Sequence, residues 1–318
     1  MPAYPRGDTE MPQRKLADLI DMSSSQAVLE EVLLIAGLIS PRIDTHLIRS
    51  AFQRTQALFE GRYPGKQACN TGFHDFRHTT DTLLATMRLL HGAALHQQIG
   101  THREIYLVLS AALLHDTGYI QEVSDAVGTG AKYTTIHVSR SMVFVGAHGS
   151  RFDLSNEELH FVQTLIRSTD ITVDMEQVRF KQPNHRMLGQ ILATADIMAQ
   201  MADRIYLEKL IFLYREFQEA GIGDYTDEVD FLRKTIGFYD TMQQRMAEHL
   251  GNVGHLMCLH FQTRWQIDEN LYAVAMRNHK QYLLKLIQTP HLDPLKMLRR
   301  EGIVHQAMAR SRPHMGGV

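Results

Sequence analysis

The sequence predicts an all-α protein. Apolar residues recur at three- and four-residue intervals through most of the chain, first over residues 27–38 and again over residues 43–59. Serines that can cap a helix precede the first stretch, and Pro41 separates it from the second. No segment shows the alternation of polar and apolar residues typical of a half-buried strand, so we expect no β-sheet.

The later helices follow from the same periodicity. Residues 63–72 and 124–132 are rich in turn-forming residues and are expected to be loops. The last two turns of residues 102–115 are nearly all apolar, which is typical of a helix at the centre of a core. Helices are predicted at residues 74–91, 102–115, 135–147, 156–168, 186–219, 227–249 and 264–287, with 186–219 long enough for two.

Composition excludes several classes of protein. The chain has 318 residues with 33 basic and 35 acidic side chains, so it offers no broad charged surface for extended nucleic acid or an acidic membrane. Two cysteines, Cys69 and Cys258, exclude a disulfide framework and a cysteine-rich zinc site. No apolar run is long enough to cross a bilayer. We therefore expect a soluble, cytoplasmic protein without a membrane partner.

Three short segments place metal-binding residue types within apolar surroundings. In FHDFRHTTDT, His74 and His78 are four residues apart, a spacing that on a helix puts both imidazoles on one face. In AALLHDTGY, His115 and Asp116 follow an apolar helix, and in LATADIMAQ, Asp196 lies within a long apolar run. An unpaired carboxylate buried there would cost several kcal/mol, and a divalent cation removes that cost.

The donor types indicate which ions would bind. Two imidazoles with two carboxylates form a mixed nitrogen and oxygen set suited to zinc, manganese, iron or cobalt. A carboxylate next to a histidine can also bridge to a second ion, for which magnesium or manganese is preferred. Two ions about 3.5–4 Å apart can generate hydroxide and clamp a phosphoryl group.

The order of these residues, a histidine, then a His-Asp pair, then an aspartate on separate helices, resembles the HD-domain superfamily of metal-dependent phosphohydrolases. FHDFRH is similar to the signature of the cyclic-nucleotide phosphodiesterases, and LATADIMAQ resembles the helix that carries their last metal aspartate. The resemblance covers about residues 66–205. It implies an HD-domain or phosphodiesterase-like helical bundle at residues 66–219, flanked by helical extensions at residues 1–65 and 220–318.

The resemblance also implies roles for these residues. His78, His115, Asp116 and Asp196 would hold the first metal, which would be zinc, manganese, iron, cobalt or nickel. Asp116 would bridge to a second metal, magnesium or manganese, and a metal-bound hydroxide would attack the phosphorus. His74 would act as the general acid that protonates the departing alkoxide, a role suited to an imidazole whose ordinary pKa is near 6.5.

Departures from the phosphodiesterase pattern leave the substrate open. Phe73 and Asp75 replace a tyrosine and an asparagine, and Thr82 stands where valine is usual. The glutamine that grips the purine in the eukaryotic enzymes has no clear counterpart. A nucleotide-like phosphoester is expected, with a cyclic phosphodiester favoured. The alternatives are a nucleotide phosphomonoesterase or triphosphohydrolase on the same scaffold, or a metal-binding signalling module with little turnover.

Other positions have two interpretations. His137 could bind the second metal or the substrate phosphate, or it could simply begin a helix. Asp170 resembles a further metal-site position, and it equally suits a turn after a helix. Arg140 or Arg167 could contact a phosphate. The extensions could cover the core, shape the pocket or form a homodimer interface.

Overall fold

The computed structural model describes residues 14–96 and 99–310, and this part of the chain contains thirteen α-helices and no strand. A single isolated β-bridge pairs Lys66 with Glu122. The all-α prediction is confirmed. None of the described helices combines the length and apolar character needed to span a membrane. The helices are α1 Ser25–Ile39, α2 Thr45–Phe59, α3 Phe76–Leu95, α4 His102–Leu114, α5 His137–His148, α6 Asn156–Arg167, α7 Pro183–Ala202, α8 Tyr206–Ala220, α9 Glu228–Gln244, α10 Leu256–Trp265, α11 Leu271–Gln288, α12 Pro294–Met297 and α13 Ile303–Arg310.

Side-chain caps explain where several helices begin. The Asp44 carboxylate accepts hydrogen bonds from the first backbone N–H groups of α2, and the Asp75 carboxylate accepts from the His78 N–H of α3 at 2.9 Å. Thr101 and Glu104 form a reciprocal capping box at the start of α4. Such caps satisfy backbone donors that have no partner within the helix, so they fix the first turn.

Two sequence expectations about helices are wrong. His74 precedes α3 because Asp75 is the cap, so His74 and His78 do not share a helical face. The helix predicted at residues 264–287 is interrupted. α10 ends at Trp265 because the next residue, Gln266, has a left-handed φ of 58°. α11 begins only after Asn270, whose side chain accepts from two N–H groups.

Helix α3 forms the centre of the core. Every residue from His78 to Ala93 is buried, and α3 packs against α1, α4, α7 and α10. Helix α11 packs against α7. Helices from both predicted extensions therefore pack directly against α3 and α7, which carry the candidate metal ligands His78 and Asp196.

Gly92 lies where the backbones of α3 and α10 approach each other closely. A Cβ atom at this position would lie 2.0 Å from the carbonyl oxygen of Leu256 and 2.8 Å from its carbonyl carbon. Both are backbone atoms, so the helix itself would have to move. Only glycine allows this crossing.

We expect Gly92→Ala to destabilise the protein by about 1–3 kcal/mol, because the added methyl group forces α3 and α10 apart. The free energy of unfolding, measured in urea, checks this. Gly37→Ala in α1 is the matched control, because a Cβ at that position would have no neighbouring atom within 4 Å. That change should stabilise the helix by up to about 1 kcal/mol. Equal effects of the two changes would contradict the close crossing.

Candidate metal centre

Three helices bring the four predicted ligands together. His78 lies in the first turn of α3, where the Asp75 cap holds its backbone N–H. His115 is the residue at which α4 ends, and Asp116 follows it. Asp196 lies in the middle of α7. The side chains of His78, His115 and Asp116 are at most 4% exposed, whereas that of Asp196 is 18% exposed, so the cluster is most open beside Asp196.

The four side chains converge through one atom each. The Nε2 atoms of His78 and His115 are 3.4 Å apart. Asp116 Oδ2 lies 3.4 Å from the His78 Nε2 and 3.3 Å from the His115 Nε2. Asp196 Oδ1 lies 3.1 Å and 3.4 Å from the same two nitrogen atoms. Each carboxylate therefore contacts both imidazoles.

The spacings among His78, His115 and Asp116, whose donor atoms all lie within 4.8 Å of one another, fit ligands of a common cation. Asp196 lies outside this group of three, although its Oδ1 lies beside both imidazoles. Two atoms that are each about 2.1 Å from one ion lie about 3.0 Å apart at a right angle and about 3.4 Å apart at the tetrahedral angle. The His115 Nδ1–H donates to the Ala112 carbonyl oxygen at 2.8 Å, a tautomer that leaves the Nε2 lone pair free. Asp116 Oδ2 is buried and has no hydrogen-bond partner among the described residues. The donor set therefore fits a divalent metal.

Charge in the cluster requires a positive partner. Burial opposes ionisation of Asp116, but His115 outweighs it and holds the pKa of Asp116 well below its ordinary value. The pKa of Asp196 is lowered in the same way, against burial, chiefly by His115. Burial in turn disfavours the His115 cation, yet Asp116 and Asp196 raise the pKa of His115 well above its ordinary value. The two carboxylates therefore favour positive charge beside them, which either a protonated imidazole or a metal ion can supply.

A tight turn holds the His-Asp pair in place. The Ser141 hydroxyl donates to the His115 carbonyl oxygen at 2.5 Å and accepts from the Gly118 N–H at 2.8 Å. A Cβ at Gly118 would lie 1.9 Å from the His137 carbonyl oxygen, so only glycine fits between this turn and α5. Arg140 donates to the Gly118 carbonyl oxygen at 2.7 Å, so this side chain braces the turn.

His74 lies beside the cluster, although it is outside α3. Its Nδ1 is 2.7 Å from Glu216 Oε2, while the other oxygen of Glu216 accepts from the Phe73 N–H at 2.7 Å. Burial opposes protonation of His74, but the Glu216 carboxylate outweighs it and raises the pKa of His74. Glu216 therefore orients this imidazole and favours its protonated form.

His137 lies beside the second carboxylate oxygen of Asp116. Its Nε2 is 3.7 Å from Asp116 Oδ1, and its Nδ1 is 2.6 Å from the Thr134 carbonyl oxygen. The Tyr119 ring stacks on both neighbouring imidazoles, with centroid distances of 4.4 Å to His74 and 4.6 Å to His137. The two oxygen atoms of Asp116 thus face different histidines, as a bridging carboxylate requires.

Asp170 lies in a turn after α6. Its Oδ1 accepts from the Thr172 N–H at 2.9 Å and from the Thr172 hydroxyl at 2.6 Å. None of its described hydrogen bonds reaches the cluster. Arg167, the last residue of α6, is exposed.

Sequence reasoning missed Glu216 and Tyr119. Glu216 is a 4% exposed carboxylate in the apolar run LIFLYREF of α8, the same signal that drew attention to Asp196. Tyr119 is 1% exposed and follows the His-Asp pair by three residues. The contact between Glu216 and His74 could not be predicted from the sequence, because the two residues are 142 positions apart.

A family model described as Npun_R2479-like matches residues 66–279 of the chain, which is more than half of it. The matched span includes all four residues of the cluster and also His74, His137 and Glu216. No curated protein matches the chain.

We predict that the affinity for zinc or manganese rises with pH. Binding must displace the proton that Asp116 and Asp196 favour on His115, whose pKa is raised, so affinity falls as pH drops below that pKa. The change should be about tenfold per pH unit for each proton displaced. Isothermal titration calorimetry on chelator-treated protein between about pH 6 and about pH 8 measures it.

Two variants serve as controls for this titration. Asp196→Asn should abolish tight binding at every pH, because it removes a ligand of the cluster. Asp170→Asn should leave binding unchanged, because Asp170 makes its described side-chain contacts with Thr172. Affinity that does not vary with pH, or that survives Asp196→Asn, would contradict the assigned ligand set.

Proposed function

We propose that this chain, which belongs to the Npun_R2479-like family, is a metal-dependent phosphohydrolase. The observation that carries the proposal is the convergence of donor atoms from α3, α7 and the end of α4. The two imidazole Nε2 atoms are 3.4 Å apart, and each carboxylate lies 3.1–3.4 Å from both of them. The order of these residues along the chain, together with their helical setting, also supports kinship with the HD-domain superfamily. A nucleotide-like phosphoester is the proposed substrate, with a cyclic phosphodiester favoured.

In this proposal, His78, His115, Asp116 and Asp196 hold zinc, manganese, iron, cobalt or nickel. Asp116 Oδ1 and His137 Nε2 face each other at 3.7 Å and are the candidates for a second ion, magnesium or manganese. A divalent cation bound here supplies Lewis acidity, which polarises a phosphoryl oxygen and makes a water molecule more acidic.

His74 supplies the proton for the leaving group. Its Nδ1 is engaged by Glu216, so Nε2 is the nitrogen available to a substrate oxygen. Because the Glu216 carboxylate raises the pKa of His74, the imidazole keeps its proton near neutral pH until the leaving oxygen takes it. Tyr119 stacks on the same ring and limits its rotation.

A cytoplasmic location and a homodimer are also proposed. Cys69 and Cys258 are free thiols, which is typical of a reducing compartment and favours a cytoplasmic location. The helical extensions are proposed to form a homodimer interface, which light scattering tests by giving the mass of a dimer or of a monomer.

We expect His74→Gln to lower kcat by about 10²–10⁴-fold, the usual contribution of a general acid, without loss of metal. The assay uses manganese-loaded protein and a panel of cyclic nucleotides, nucleoside monophosphates and nucleoside triphosphates, and metal content is measured alongside. His160→Gln is the matched control, because His160 is exposed on α6 and makes no contact with the cluster among the described hydrogen bonds. Hydrolysis of the monophosphates or triphosphates in preference to the cyclic diesters would favour the alternative enzymes.

Metal-loaded wild-type protein that hydrolyses no member of the panel would instead favour a metal-binding signalling module. Full activity of His74→Gln would refute the assigned general acid.

Glu216→Gln should move the alkaline limb of the pH–rate profile to lower pH. A general acid must be protonated, so the rate falls as pH rises through its pKa, and removing the Glu216 charge lowers the pKa of His74. The profile of kcat against pH, measured for wild type and variant on the same substrate, tests this. An unchanged alkaline limb would show that Glu216 does not tune the proton donor.

A further inference from the structure

A cavity separate from the four-residue cluster lies between α3, the end of α7 and the segment before α1. Its volume is about 110 Å³. α3 contributes Arg77 and Asp81, and the residues after α7 contribute Asp203 and Arg204. Two further carboxylates, Asp21 and Glu301, also line it, so four carboxyl groups face two guanidinium groups. The lining is therefore predominantly acidic.

Asp81 is the unusual member of this lining. It is 3% exposed, and its Oδ1 has no hydrogen-bond partner among the residues that the structure describes. Arg77, one turn earlier on α3, does not neutralise it with a close ion pair. The two terminal nitrogen atoms of Arg77 lie 3.4 Å from Asp203 Oδ1 and 3.3 Å from Glu301 Oε2.

An unpaired buried carboxylate is costly, and a cation that contacts it offsets part of that cost. Burial, followed by the charge of the nearby Asp203, raises the pKa of Asp81 well above its ordinary value and outweighs the opposing charges of Arg77 and Lys209. The environment thus opposes a bare negative charge at this position, and a positively charged ligand would restore the ionised form.

The rest of the lining favours an organic cation over a metal ion. Among the described residues, the one group of three His, Cys, Asp or Glu side chains with donor atoms within 4.8 Å of one another is His78, His115 and Asp116. The carboxylates of the cavity therefore form no compact cage for a divalent ion. Apolar and aromatic surface lines the same cavity and suits the body of a ligand, from Ile20, Met22, Ala199, Ala202 and Tyr272.

We propose that this cavity binds a small organic amine, whose ammonium group pairs with Asp81 while its apolar body packs against Ala199 and Tyr272. Asp81 lies one turn after His78 on α3, and Ala199 lies one turn after Asp196 on α7. An occupant would therefore touch both helices that carry metal-type residues. Binding of the amine nevertheless requires neither metal nor hydrolysis.

Phenethylamine and its neutral isostere 2-phenylethanol test the proposal on the full chain. Isothermal titration calorimetry on chelator-treated protein should show saturable binding of phenethylamine with a Kd at or below about 1 mM. 2-Phenylethanol should bind at least tenfold more weakly, because it lacks the charge. Chelator treatment keeps this result independent of the proposed phosphohydrolase activity.

Asp81→Asn should weaken phenethylamine binding at least tenfold, whereas Asp268→Asn, which removes an exposed carboxylate, should not change it. Circular dichroism establishes that the variants are folded. If Asp81→Asn does not fold, the comparison of amine and alcohol on the wild type decides. Equal binding of the two ligands, no binding of the amine, or full binding to folded Asp81→Asn would each overturn the proposal.

Discussion

Two carboxylates that are held against two buried imidazoles form the constraint around which this molecule is organised. Asp116 and Asp196 each lie within 3.4 Å of both His78 Nε2 and His115 Nε2. Such an arrangement is stable only with compensating positive charge, from protons or from a cation. The lowered pKa values of the carboxylates and the raised pKa of His115 express the same requirement.

The surrounding fold supplies the rigidity that such a cluster needs. α3 is buried along most of its length, so His78 projects from a helix that is packed on several sides. The Ser141 hydroxyl and the glycine at position 118 fix the turn that carries His115 and Asp116. Residues that orient the ligands of a metal ion without contacting the ion also contribute to its binding.

The residues around the cluster differ between its two ends. Asp116 presents one oxygen to the His78 and His115 pair and the other to His137. His74 approaches with its proton position set by Glu216. In the proposed function, His78, His115, Asp116 and Asp196 would bind the cation and His74 would donate the proton, and hydrolysis of a phosphoester needs both roles.

Local periodicity was sufficient to predict the helical class. Asp196 could be singled out because it is a carboxylate within an apolar run, and the structure places it beside His78 and His115. Its role as a metal ligand stays a prediction. Details that depend on a single cap were harder to predict. Asp75 moves His74 out of α3, and Asn270 separates α10 from α11. The pairing of Glu216 with His74 could not be predicted at all, since it depends on how α8 packs and not on any local pattern.

The most direct test of the central claim is a crystal structure of the zinc- or manganese-loaded protein with anomalous diffraction recorded at the metal edge. We predict an anomalous peak about 2.0–2.2 Å from His78 Nε2, His115 Nε2, Asp116 Oδ2 and Asp196 Oδ1. A metal bound elsewhere, with these four side chains joined only by hydrogen bonds, would contradict it.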